Sequence, residues 1–136
     1  MILLDANILM YAAGAPHVHK APSVALLGRI ANGEVDAAVD TEVLQEILHR
    51  YAALKLWQAG RTLYDHTRVV LPRVVPITGE VTDLARALLD DVPHLMARDA
   101  LHAAIVITTG ATAFCSYDRD FDRIPGLRRV EPADVR

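Results

Sequence analysis

Cysteine is almost missing from this sequence. Cys115 stands alone, which excludes an intrachain disulfide and a cysteine-based zinc centre and suits a reducing, cytoplasmic compartment. No glycine-rich turn follows the first apolar run, where Asp5-Ala-Asn7 stands instead, so a dinucleotide-binding fingerprint is lacking. No Gly-Lys-Ser/Thr occurs, which removes P-loop phosphate chemistry. Lysine is scarce: only Lys20 and Lys55 are present, and none follows Lys55. No apolar stretch reaches bilayer-spanning length, so no membrane role is expected. The apolar opening looks like a leader as far as Ala12-Ala13-Gly14-Ala15, but no basic residue precedes it and Asp5 and Asn7 interrupt it.

The 136 residues predict a single domain over 1–136, large enough to bury a sizeable core. Apolar residues make up 52% of the chain and mean hydropathy is +0.21, so part of the apolar surface is expected to face a partner. The net charge of -3 argues at first against a nucleic-acid partner. Four acids committed to a metal would change the balance, leaving 13 acids against 14 bases. Twelve of those bases are Arg, a bias that suits bidentate phosphate contacts as well as intramolecular pairing.

Met1 to Leu4 is a short apolar run ending on Asp5, the pattern of a strand covered on both faces. A helical stretch through Tyr11 follows, and Pro22 opens a second helix that ends at Asn32-Gly33. Val35 to Val39 reads as the second strand, with Asp40 or Thr41 capping the next helix. There Val43, Leu44, Ile47, Leu48, Tyr51 and Leu54 form an apolar stripe, while Glu42 and Glu46 share another face. Leu56 to Val70 is helical, Val74 to Ile77 is a third strand, and Thr78 caps a helix to about Asp91. Arg98 to Thr109 is a buried helix ended by Gly110, and Ala111 to Tyr117 is a strand that stops at Asp118. This alternation predicts an α/β fold, a three-layer α/β/α sandwich around a parallel sheet.

In such sheets the functional crevice lies beyond the carboxyl ends of the strands. Asp5 and Asp118 occupy two such ends, Glu46 lies early in a helix leaving a third, and Asp99 opens the helix that precedes the last strand. Two carboxylates 4 Å apart repel by roughly 1 kcal/mol in water and roughly 4 at an effective dielectric of 20. A divalent cation is the simplest remedy, and all-oxygen ligands select Mg²⁺ or Mn²⁺ over zinc. Such an ion supports phosphodiester hydrolysis.

Four segments, Asp5-Ala-Asn7-Ile-Leu-Met-Tyr-Ala, Thr41-Glu-Val-Leu-Gln-Glu46, Arg98-Asp99-Ala-Leu-His102-Ala-Ala and Ser116-Tyr-Asp118-Arg-Asp-Phe121, together resemble the PIN domain, and more narrowly its VapC-type toxins. The resemblance implies an Mg²⁺- or Mn²⁺-dependent endoribonuclease, paired with a small antitoxin and assembled as a homodimer. It places Asp5, Glu46, Asp99 and Asp118 at the family's acidic positions, and Asn7 and Ser116 at polar positions beside them. Asp120 and Asp122 lie near the fourth acid as candidate supplements. Glu42 competes with Glu46 for the second acidic position, and Glu46 is favoured because it follows the Val-Leu-Gln run.

Each acid has a plainer role when taken alone. Asp5 suits a helix cap, Asp99 a first-turn dipole partner, Glu46 a solvated helix face and Asp118 a turn. His102 is expected to be a hydrogen-bonded structural residue, and His17 and His19 to be exposed. Arg119, Arg123, Arg128 and Arg129 fit either a solvated face or a surface that steers RNA. Trp57, Tyr51 and Tyr64 are expected to pack against helices. A receiver-like phosphoacceptor also gathers acids at strand ends but requires a late Lys, which is missing. A catalytically silent PIN-like interaction domain would have no reason to keep the full acid set.

Overall fold

Alternation along three short strands sorts the apolar side chains into two cores. In β1 (Ile2–Leu4), Leu3 enters one core and Leu4 the other. In β2 (Ala37–Asp40), Ala38 and Val39 divide in the same way. In β4 (Ala113–Cys115), Phe114 faces one side while Ala113 and Cys115 face the other. A strand whose successive residues are all buried needs cover on both faces, and the helices supply it.

The computed structural model describes residues 1–136. On one face lie α1 (Ala6–Ala13), α2 (Lys20–Ala31), α3 (Thr41–Ala53) and α4 (Trp57–Val70). Their Ile8, Leu9, Leu26, Ile30, Val43, Ile47 and Leu63 pack on Leu4, Val39 and Cys115. On the other face lie α5 (Gly79–Asp91) and α6 (Ala97–Thr109), where Val81, Ala85, Ala103, Ala104 and Ile105 pack on Leu3, Ala38 and Phe114. The expected three-layer α/β/α architecture is present.

The sheet has five strands in the order β3-β2-β1-β4-β5, every pair parallel, with β3 at Val74–Val75 and β5 at Arg129–Val130. From the central β1 the chain first winds outward to β2 and β3, then crosses to β4 and β5 on the opposite side. The reversal falls between β1 and β4, which is where open α/β sheets form their ligand crevice. Asp5 follows β1 there, and Ser116 follows β4.

Several helix ends match their sequence signals. Thr78 and Asp40 accept hydrogen bonds from Val81 N and Val43 N at the starts of α5 and α3. Gly110 ends α6 in the left-handed conformation, φ 66°. Boundaries differ in several places, the second strand among them, which runs over Ala37–Asp40 rather than Val35 to Val39. The second helix begins at Lys20 rather than Pro22, which sits inside its first turn where a missing N–H costs nothing. The third and fourth strands pair over only two and three residues, because their neighbours extend no further. Strand β5 was not expected from the sequence. Gly60 is required where α4 crosses α3, since a Cβ there would lie 2.4 Å from Tyr51 Cβ.

Candidate functional site

Strand ends and helix starts position the acids. Asp5 sits at the N-cap position of α1, yet its side chain makes no capping hydrogen bond. Its Oδ2 instead accepts from Ser116 Oγ at 2.6 Å and from Asn7 Nδ2 at 3.0 Å. Asp99 lies in the first turn of α6, where the helix dipole favours a negative charge. Both residues are buried, and no Arg or Lys pairs with either of them. Glu46, on α3, is half-buried and lies 3.4 Å from Arg98 Nη1. Asp118 caps a short 3₁₀ turn, Arg119–Arg123, by accepting from Asp120 N, and its own N–H donates to Ser116 Oγ at 3.0 Å.

The carboxylates form two adjoining groups. Asp5, Glu46 and His102 each offer a ligand atom within 4.8 Å of the others, and so do Asp99, Asp118 and Asp120. The groups act on each other electrostatically, because the charge of Asp5 disfavours ionisation of Asp99 and the charge of Asp118 disfavours that of Asp5. Asp122 lies outside both groups, paired with Arg129 at 2.8 Å. Asp120 is paired with Arg123 at 2.6 Å. Glu42, the competitor for the second acidic position, belongs to neither group.

Burial raises the pKa of Asp5, outweighing the attraction of His102 and the hydrogen bond from Ser116. The same cause raises that of Glu46 against the pull of Arg98. Burial together with the like charge of Asp118 pushes Asp99 up to about 6. Carboxyls gathered in this way are poor company for one another, and a cation among them would relieve both burial and repulsion.

Sequence reasoning missed Asp40 as anything beyond a cap. Its Oδ1 accepts from Val43 N, while its Oδ2 lies 2.6 Å from His102 Nδ1. Burial acts to lower the His102 pKa, but the hydrogen bond and charge of Asp40, followed by the charges of Asp5 and Glu46, prevail and raise it to about 8. No signal in the sequence links positions 40 and 102.

The basic and aromatic residues divide differently from expectation. Arg129 is largely buried and held by Asp122, Glu131 and the Ser116 carbonyl, so it braces the strand ends. His19 is not simply exposed: it stacks on Tyr117 with ring centroids 3.7 Å apart, and Tyr11 meets both rings edge-on.

The model of the PIN domain family matches residues 2–127 of this chain. The chain belongs to the PIN domain family. Among its PIN relatives, Ribonuclease VapC13 of Mycobacterium tuberculosis is 42% identical over 130 residues, covering 96% of this chain and 99% of that protein. Ribonuclease VapC7 of the same organism is 32% identical over 136 residues, covering 97% and 92%. Among solved PIN-fold structures, VapBC2 from Rickettsia felis, bound to a DNA fragment from its promoter, superposes with a TM-score of 0.78 at 21% identity, covering 96% of this chain and 98% of that one. VapC20 of Mycobacterium tuberculosis, described as a sarcin-ricin-loop-cleaving toxin, gives 0.77 at 18% identity over 97% and 100%. The donor set of this PIN domain, mainly carboxylate oxygens with little cationic compensation, fits a divalent metal ion.

Proposed function

We propose that this protein is an Mg²⁺- or Mn²⁺-dependent endoribonuclease that hydrolyses RNA phosphodiester bonds, and that it is the toxin of a VapBC-type toxin–antitoxin pair. The observation that carries the proposal is the burial of Asp5 and Asp99, neither with an Arg or Lys partner, in two adjoining groups of acids beyond the strand ends. The near full-length identity to VapC ribonucleases supports RNA as the substrate.

Asp5, Glu46, Asp99 and Asp118 are the residues that would hold the ion, with Asp120 at the rim. The bound ion supplies Lewis-acid activation of water and neutralisation of charge developing on the phosphodiester. Ser116 and Asn7 hold one oxygen of Asp5 and so fix the carboxylate beside Glu46 and His102. Arg98, 3.4 Å from Glu46, stands at the border of the acids, where its guanidinium would meet a phosphate oxygen of a bound RNA.

An antitoxin partner fits the apolar groove of about 280 Å³ lined by Leu9, Ala12, Val24, Leu27, Leu63 and Val70. The solved VapBC complexes with this fold support that partner. The exposed Leu48, Leu54, Leu56 and Trp57 at the α3–α4 corner suit a homodimer contact. No helix is long and apolar enough to cross a membrane, and an RNA substrate would suit a cytoplasmic location.

The test is cleavage of total cellular RNA by the purified protein with Mg²⁺ or Mn²⁺, with mapping of the fragment ends. Cleavage should stop with chelator and with Asp5→Asn or Asp99→Asn in variants that remain folded. Cleavage that persists in both variants overturns the assignment.

A further inference from the structure

His102 is deeply buried beside the acids, with 1% of its surface exposed. Its Nδ1 is engaged by Asp40, while its Nε2 is enclosed and meets no hydrogen-bond partner. A buried polar atom without a partner is costly, and the following residues of α6 show what the surroundings would accept instead. Ala103, Ala104, Ile105 and Val106 are all buried and apolar. An imidazole kept at position 102 therefore calls for a reason.

The acid cluster supplies one. A ring nitrogen of His102 lies within 4.8 Å of carboxylate oxygens from both Asp5 and Glu46. With Nδ1 committed to Asp40, Nε2 is the nitrogen available to that group. Asp40 is fully occupied, one oxygen on the α3 backbone and the other on the imidazole, so the ring cannot turn freely. A carboxylate that fixes the far nitrogen of an imidazole is the second-shell arrangement that orients metal-ligating histidines and sets their tautomer.

We propose that His102 Nε2, oriented by Asp40, is a nitrogen ligand that completes the Asp5–Glu46 half of the metal site and tilts it toward Mn²⁺ and other first-row transition ions over Mg²⁺. This assignment rests on the metal-dependent nuclease function proposed above and narrows its choice of ion. Imidazole is a good donor to transition ions, whereas Mg²⁺ holds to oxygen ligands and its own waters. Asp40 is a positioning residue in this arrangement. It acts on the metal only through the ring it holds.

The experiment loads metal-free wild-type protein with Mn²⁺ and records pulsed EPR, with ¹⁵N-histidine labelling to identify the coupled nucleus. One histidine nitrogen should couple to the bound ion, and the coupling should vanish in His102→Gln. Competition between Mn²⁺ and Mg²⁺ should show the preference for Mn²⁺ falling by about tenfold or more in that variant. Asp40→Asn keeps a good helix cap, because Asn caps as well as Asp, and should weaken Mn²⁺ binding by about 10–100-fold. Mn²⁺ bound in wild-type protein with no histidine coupling overturns the role of His102 and leaves the carboxylate site standing. Absence of any divalent-ion binding removes both this assignment and the metal dependence beneath it.

Discussion

Ser116 Oγ donates to Asp5 Oδ2 across 2.6 Å, joining the ends of two neighbouring strands through residues 111 positions apart. The same hydroxyl oxygen accepts from Asn7 Nδ2 at 3.1 Å and from Asp118 N at 3.0 Å. One buried side chain thus uses its donor and both acceptor positions to set three members of the site. Ser116→Ala leaves the strand intact and removes all three contacts. Metal affinity or RNA cleavage is expected to fall by about 10–100-fold. Titration calorimetry and initial cleavage rates measure the loss, and unchanged values would show that Ser116 only fills space.

The metal-free protein should become less stable as pH rises from about 4 to 8. The Asp99 carboxyl, raised from 3.8 to about 6, keeps a proton in the folded state that the unfolded chain has already released, so stability drains away across that interval. His102, raised from 6.5 to about 8, contributes stability that is complete below 6.5 and lost as pH passes 8. Thermal melts of chelated protein between pH 4 and 8 should therefore show a falling Tm, and divalent ion should raise Tm more at pH 8 than at pH 5. A chelated protein that grows steadily more stable across this range contradicts the placement of these two groups.

Asp99→Asn should behave in opposite ways with and without metal. Without it, the substitution removes a buried charge that Asp118 and Asp5 repel, and should raise stability near pH 7.5 by on the order of 1–3 kcal/mol. With Mn²⁺ or Mg²⁺ present, the variant should lose most of the stabilisation that wild type gains. Urea titrations in chelator and in metal give both numbers. Destabilisation in chelator would mean that Asp99 is held by favourable contacts.

Cys115 should be inert in the folded protein. Burial, followed by the charge of Asp5, pushes its thiol up to about 12, and the side chain is fully enclosed next to Ser116. A thiol reagent at neutral pH should react only at the rate of unfolding. Rapid modification of native protein would mean that the end of β4 opens on its own.

How much of this was legible beforehand depends on the range of each interaction. Asp5 and Asp118 stand at the ends of apolar runs, so their place at a sheet edge follows from local pattern and from the rule that crevices form there. Thr78 and Gly110 announce helix ends through chemistry confined to one turn. The Asp40–His102 pair spans 62 positions, and each partner has an ordinary local role that conceals the other. Strand β5 escaped for a different reason. Arg129–Val130 is two residues long within a charged segment and pairs only because β4 offers it an open edge. Arg129 likewise reads as a solvated cation until Asp122, Glu131 and the Ser116 carbonyl are seen around it.

The most direct test is calorimetric titration of Mn²⁺ into chelator-stripped protein, wild type beside Asp5→Asn and Asp99→Asn. Saturable binding in wild type, weakened at least about tenfold in each folded variant, is the predicted result. Binding that is absent in wild type, or equally strong in all three proteins, would mean that these carboxylates are brought together for some purpose other than a metal.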